Sequence, residues 1–286
     1  MNGNWRSAMK IGICSFSFHR TCAAGKMDIF SYIATCRELG CTQLDPWNAH
    51  LSLAASGAET LHAGHHPDQA RVEPPDDAGF VKRVKAAADK VGLPFGCIAV
   101  DGAHLYEKDE VHRRANRVRA CRWLDIAQQL GAAQVRIDAG GPAEMPDDVF
   151  RIVVDGYRDL IPRARDRGIE VLVENHWGPT PNPDHLLRLL DAVDGLGLLF
   201  DTNNWIKERQ REAWERCAGR ARALHIKTFA FDANGLETTV DLKPAFDLLN
   251  AAGYRGAWGV ESCPKDGDEL RAARQTIALI RKWGRG

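Results

Sequence analysis

Four short apolar runs in the second half of the chain each lead to a side chain of metal-ligand type: EVLVE ends at Glu174, LGLLFD at Asp201, ALH at His225 and AWGVE at Glu261. Runs of this length and composition mark strands buried on both faces, which belong to parallel sheets covered by helices. The four ends are 27, 24 and 36 residues apart, each about one strand-plus-helix unit. A chain built on that repeat has few folds open to it.

The same alternation runs back to the N-terminus. KIGICSFSF, from Lys10, predicts strand one, and in MDIFSYIATCRELG the residues Ile29, Ile33 and Cys36 share a helical face that Gly40 ends. TQLDPWN predicts a short second strand, and Phe80, Val84, Ala87 and Val91 mark an amphipathic helix before strand three, LPFGCIAV. A helix over 109–131, strand four QVRIDAG and a helix over 148–168 lead into the run that ends at Glu174. Asn182 and Pro183 supply an N-cap and first-turn proline for the next helix. Helices over 205–219 and 242–250 follow strands six and seven, and Leu270, Ala273, Ile277 and Ile280 line the last helix.

Eight such units in one domain-sized chain are what a closed parallel (β/α)8 barrel, the TIM barrel, requires. The predicted organisation is a loose tail over residues 1–8 and a single-domain α/β barrel over 9–286. A doubly wound open sheet would instead need a glycine-rich phosphate turn after its first strand, and ICSFSF has no G-x-G-x-x-G pattern.

Charge narrows the partners. Lys plus Arg and Asp plus Glu both number 38, so the chain lacks the electrostatic footprint of nucleic-acid or anionic-membrane binding. No apolar run approaches the ~20 residues of a membrane helix, and MNGNWRSAMK has no apolar signal core, so the expected compartment is the cytoplasm. The 8 cysteines form no C-x-x-C pair and read as small buried hydrophobes, with Cys263, two residues after Glu261, the one placed to face a cleft.

In a barrel the C-terminal strand ends converge on one site. Three carboxylates and an imidazole aimed at one axis repel without a cation, and their hard donors suit Mn²⁺ best, with Mg²⁺ or Co²⁺ as alternatives. The long irregular connection between Pro46 and Asp77 carries His50, His62, His65 and His66, and its position predicts a partly helical lid, whose histidines either contact substrate or are solvated.

VENHWG, LLFDTNNW, HIKTF and GVES, in that order and with VRIDAG in strand four, resemble the xylose isomerase-like TIM barrels, a group of sugar isomerases, epimerases, inosose dehydratases and endonuclease IV. The resemblance covers Lys10 to about Trp283. It implies that Glu174, Asp201, His225 and Glu261 bind one divalent cation and that His176, Arg136 and Lys227 line the substrate pocket. It also implies enolisation: a proton leaves the carbon beside a carbonyl, and a cation stabilises the enediolate. Glu174 and Glu261 would act as acid and base on opposite sugar faces, which calls for carboxyl pKa values pulled apart by their surroundings. His176 would bind a hydroxyl, serve as base or support a ligand from behind. Arg136 and Lys227 would hold hydroxyls, or else be charges within a carboxylate network. Phe16, Trp47, Trp177 and Trp205 stand at strand ends, where rings pack on sugar C–H faces or on the barrel rim.

Two departures narrow the reading. Asn204 stands where relatives carry a histidine three residues after the strand-six aspartate, which argues against further metals and against DNA repair. The loops after strands seven and eight hold Lys265 but no glycine-rich anion nest, which favours an unphosphorylated substrate. The expected function is a metal-dependent isomerase or epimerase of a free ketose or keto-sugar. The alternatives are a lyase or dehydratase that eliminates a β-substituent from an inosose or 3-keto-glycoside, and a metal-stabilised sugar-binding protein without turnover. The expected partner is a small sugar or cyclitol, with no nucleic acid or membrane, and a homo-oligomer is compatible with the chain.

Overall fold

The computed structural model describes residues 9–52 and 72–286. The expected tail over 1–8 lies outside them, as do His62, His65, His66 and the centre of the expected lid. Seven parallel strands form one sheet: β1 (Ile11–Ile13), β2 (Cys97–Val100), β3 (Gln134–Ile137), β4 (Glu170–Glu174), β5 (Gly197–Asp201), β6 (Ala221–Thr228) and β7 (Trp258–Ser262). Their spatial order is β1-β7-β6-β5-β4-β3-β2, so only the gap between β1 and β2 remains to be closed.

The predicted second strand closes it without becoming a continuous strand. Cys14 bridges Asp45 on one side, while Leu44 bridges Phe95 and Trp47 bridges Ala99 on the other, all in parallel. Leu44 N donates to Pro94 O at 2.9 Å, Gly96 N to Leu44 O at 2.8 Å and Ala99 N to Pro46 O at 3.0 Å. The next donor in that ladder would be the N–H of residue 46, and proline has none. The predicted strand one is likewise shorter than KIGICSFSF, because the chain turns into a 3₁₀ helix at Ser15–Phe18, where Ser17 N donates to Cys14 O at 2.9 Å.

Helices cover the outside. Asp109 caps Glu110–Leu130 by accepting from His112 N, and Gly131, with φ 71°, ends it. Asn182 caps Pro183–Ala192 with proline in its first turn, as the sequence predicts. The expected helix over 205–219 is the α-helix Gln210–Cys217 flanked by 3₁₀ turns. Among the described residues, no helix is long and apolar enough to cross a membrane.

Inside the barrel, Cys97, Leu172, Leu199 and Ala223 form a small buried apolar cluster separate from the main core. Two residues further along three of these strands stand Glu174, Asp201 and His225. The period of two therefore puts the polar layer directly above an apolar plug. A register shift at Leu198/Leu199 brings Asp201 opposite His225 across β5 and β6, an irregularity of the kind that re-aims side chains beside active sites.

Close approach explains one glycine in this layer. A methyl group on Gly259 would stand 2.0 Å from the Leu224 carbonyl oxygen and 3.5 Å from the His225 ring. Gly259→Ala is expected to cost about 1–3 kcal/mol of unfolding free energy through overpacking. Chemical denaturation measures it, and an unchanged midpoint would contradict the packing described.

Candidate active site

The structure brings Glu174, Asp201, His225 and Glu261 together, each offering a ligand atom within 4.8 Å of the others. All are nearly sealed from solvent, with exposures of 1%, 0%, 3% and 7%. Their orientation follows from the strand ends. Asn175 and Asp201 exchange hydrogen bonds between β4 and β5, Asn175 Nδ2 donating to Asp201 O at 3.0 Å and Asp201 N donating to Asn175 Oδ1 at 2.9 Å. Asn203 N and Asn204 N both donate to Asp201 Oδ1, at 2.6 and 2.9 Å, which leaves Oδ2 as the uncommitted oxygen.

The uncommitted atoms test whether a cation suits the site. Glu174 Oε2, Asp201 Oδ2 and Glu261 Oε2 are all buried without a directed hydrogen bond among the described residues. One such oxygen from each of three carboxylates, with an imidazole 2.9 Å from Glu174 and 3.7 Å from Glu261, is a donor set that fits a hard divalent ion.

Protein cations offset part of the negative charge. Lys227 Nζ stands 2.9 Å from Glu261 Oε2 and 3.8 Å from Asp201 Oδ2, and Arg136 Nε stands 3.0 Å from Glu174 Oε2. Burial alone would raise the Glu174 carboxyl, but the charges of His225 and Arg136 hold it below its ordinary value. Glu261 is likewise held low, by Lys227 and His225 against its burial. Asp201 goes the other way. Burial lifts it to about 7, Lys227 opposes that lift, and the charges of Glu261 and Glu174 add to it. The carboxyl set apart is thus Asp201, while both glutamates stay ionised.

Arg136, Trp47 and His176 belong to a second network that also contains two aspartates missed in the sequence. Arg136 Nη1 donates to Asp101 Oδ1 at 2.7 Å, Asp138 Oδ2 at 2.8 Å and Val100 O at 3.0 Å. Its Nε makes no directed hydrogen bond among the described residues and stands in ion-pair range of Glu174. Trp47 Nε1 donates to Asp101 Oδ2 at 2.7 Å, and Trp177 Nε1 to Asp138 Oδ2 at 3.0 Å. His176 Nδ1 lies 3.2 Å from the same Asp138 oxygen, with its side chain 28% exposed. Burial pulls the imidazole down, yet Asp138 raises it to about 9, so it is a cation at neutral pH. Asp101 ends the run CIAVD, and Asp138 follows Arg136 by two. The strand-end and period-two signals that picked out Glu174 would have found both.

The two tryptophans expected at the pocket are buried, Trp47 at 4% and Trp205 at 5% exposed, and Trp205 packs on Phe200 with ring centroids 5.5 Å apart. Phe16 is only partly buried and packs edge-on against Trp47, with its centroid 5.2 Å away. His50, on the helix Asn48–Leu51, is buried, and its Nδ1 lies 2.7 Å from Ser15 Oγ.

Fold and site together define a parallel β/α barrel with an acid-rich, imidazole-containing cluster at the C-terminal ends of its strands. The chain belongs to the xylose isomerase-like TIM barrel family, whose model matches residues 51–283. An inosose dehydratase of Serratia proteamaculans is 26% identical over 153 residues, 42% of this chain and 49% of that protein, so the match spans about half the relative's length. The apo crystal structure of an Escherichia coli 3-keto-D-glucoside 4-epimerase superposes with a TM-score of 0.72 at 17% identity, covering 96% of this chain and 99% of that one. A Methylomonas sp. D-allulose 3-epimerase in complex with D-allulose gives 0.71 at 16% identity, over 96% and 97% of the two chains. At these identities the structural matches establish the fold.

Arg136→Met is expected to cost about 3–5 kcal/mol, because it leaves Asp101, Asp138 and Glu174 without their shared buried counter-charge. Thermal and urea unfolding measure it. Stability within error of the parent would mean that the guanidinium is not the keystone of the network.

Proposed function

We propose that the protein is a divalent-metal-dependent isomerase or epimerase of a free ketose or keto-sugar. The observation that carries this reading is the convergence of Glu174, Asp201, His225 and Glu261, with one oxygen on each carboxylate that accepts no directed hydrogen bond among the described residues. These four would hold the cation, Mn²⁺ by donor type. When bound, it supplies positive charge against the oxygens of a neighbouring carbonyl and hydroxyl.

The protein's own groups account for the proton movements. Glu174 and Glu261 are kept ionised by the cations around them and so begin as proton acceptors. One removes the proton from the carbon beside the carbonyl and keeps it, and inversion follows when the other, after taking a proton from solvent, delivers that proton to the opposite face. Lys227, 12% exposed, neutralises Glu261 and reaches toward the cleft. His176, held as a cation by Asp138, donates to a substrate oxygen.

A second reading has its own support. The same proton removal, followed by loss of a β-hydroxyl, makes a lyase, in which the half-buried His176 imidazolium would protonate the leaving oxygen. The inosose dehydratase relative favours this outcome.

Metal-loaded protein incubated in D₂O with ketoses, inososes and keto-glycosides separates the readings. Deuterium uptake with inversion or carbonyl migration is expected for an isomerase or epimerase, and loss of water or aglycone for a lyase. No exchange with any substrate would leave only binding.

Cation affinity is expected to rise with pH through about 7, because Asp201 and His225 must both shed protons to become ligands. Calorimetric titration of Mn²⁺ at about pH 6 and about pH 8, in buffers of different ionisation enthalpy, reads the proton release. Glu174→Gln and Asp201→Asn are expected to abolish tight binding. Metal content and thermal stability unchanged in both variants would defeat the metal assignment.

A further inference from the structure

Cys14 is outside the four-residue ligand set, yet it stands against it. Its N–H donates to Val260 O at 2.8 Å, which continues the pairing of Ile13 with Val260 and lays Cys14 beside Glu261. Gly12, two residues earlier, would drive a methyl group into the buried Asp45 carboxylate, so this side of β1 faces the barrel interior and Cys14 shares it. The thiol is 1% exposed. Its sulfur, a ring nitrogen of His225 and a carboxylate oxygen of Glu261 all lie within 4.8 Å of one another.

We propose that Cys14, His225 and Glu261 form a second, sulfur-containing donor set at this centre, one that takes a thiophilic divalent cation of the Zn²⁺ or Cd²⁺ type. The inference rests on the reading of the cluster as a metal centre and adds a choice of cation to it. One sulfur, one imidazole nitrogen and one carboxylate oxygen make a borderline-soft set, whereas Glu174, Asp201, His225 and Glu261 make a hard one. His225 and Glu261 belong to both. A soft cation bound on the sulfur side therefore withdraws two ligands from the hard side, and the two occupancies exclude each other. On binding, the thiol S–H bond breaks, the proton passes to solvent and the sulfur lone pair goes to the metal, with no change of oxidation state. The thiol is sealed from bulk solvent, so it serves cations that enter through the cleft.

Co²⁺, which accepts both donor types, is the probe. Its visible ligand-field absorption reports any binding at the centre, and a sulfur-to-cobalt charge-transfer band in the near ultraviolet reports the thiolate. The full-length protein is expected to show both. Cys14→Ser and Cys14→Ala are expected to keep the visible bands and lose the charge-transfer band, while Cys263→Ser keeps both. Cd²⁺ is expected to displace Mn²⁺ from the parent protein and to do so less effectively from either Cys14 variant. Visible bands without charge transfer in the parent overturn the sulfur set and leave the hard centre standing. Charge transfer that survives both Cys14 substitutions places the sulfur elsewhere and also overturns it. Absence of both signals removes the metal reading together with this one.

Discussion

Three carboxylates aimed at one sealed point are the constraint around which this barrel mouth is arranged. Burial makes each charge costly, and proximity makes three together costlier. Lys227 and Arg136 therefore press in from the sides, and His225 is held as a cation by Glu261 and Glu174 against its burial. Asp201, with the least effective compensation, holds its proton to about 7. Protons and basic side chains thus supply the positive charge that these carboxylates demand.

Arg136 carries this balance outward. Its guanidinium joins Glu174 at the centre to Asp101 and Asp138, which in turn hold Trp47, Trp177 and His176 around the cleft. Residues that resemblance would assign to direct sugar contact are fixed to one another first. Their disposition depends on the charge state of the centre, since whatever neutralises Glu174 changes what Arg136 must neutralise. The residues around the cleft and the four-residue acidic centre share one electrostatic framework.

Much of this was legible in the chain because parallel barrels write their sites in a simple form. A strand buried on both faces rarely keeps a charged residue, so Glu174, Asp201, His225 and Glu261, toward the C-terminal ends of β4 to β7, stand out against the apolar residues around them. The eightfold alternation likewise announced the barrel. Less legible was the second stave, since TQLDPWN has the composition of a strand and Pro46 interrupts its ladder. For Arg136 the sequence leaves two readings open, a pocket residue or a charge within a carboxylate network, and its neighbours Asp101, Asp138 and Glu174 become visible only in the fold. Trp205 and Trp47 read as cleft aromatics or rim packing, and the fold adds that both are buried.

The interruption at Pro46 changes what kind of closure this barrel has. Elsewhere neighbouring strands pair residue by residue, with one register shift between β5 and β6, but between Leu44 and Trp47 the ring is held by separate bridges with a missing donor. The result is nearer to a clasp than to a hoop. Local opening is least costly where a ladder is thinnest, and Trp47, with the short helix Asn48–Leu51 that follows it, is mounted on that clasp. The barrel wall beside β1 is therefore less firmly joined than β4 to β7, which carry Glu174, Asp201, His225 and Glu261.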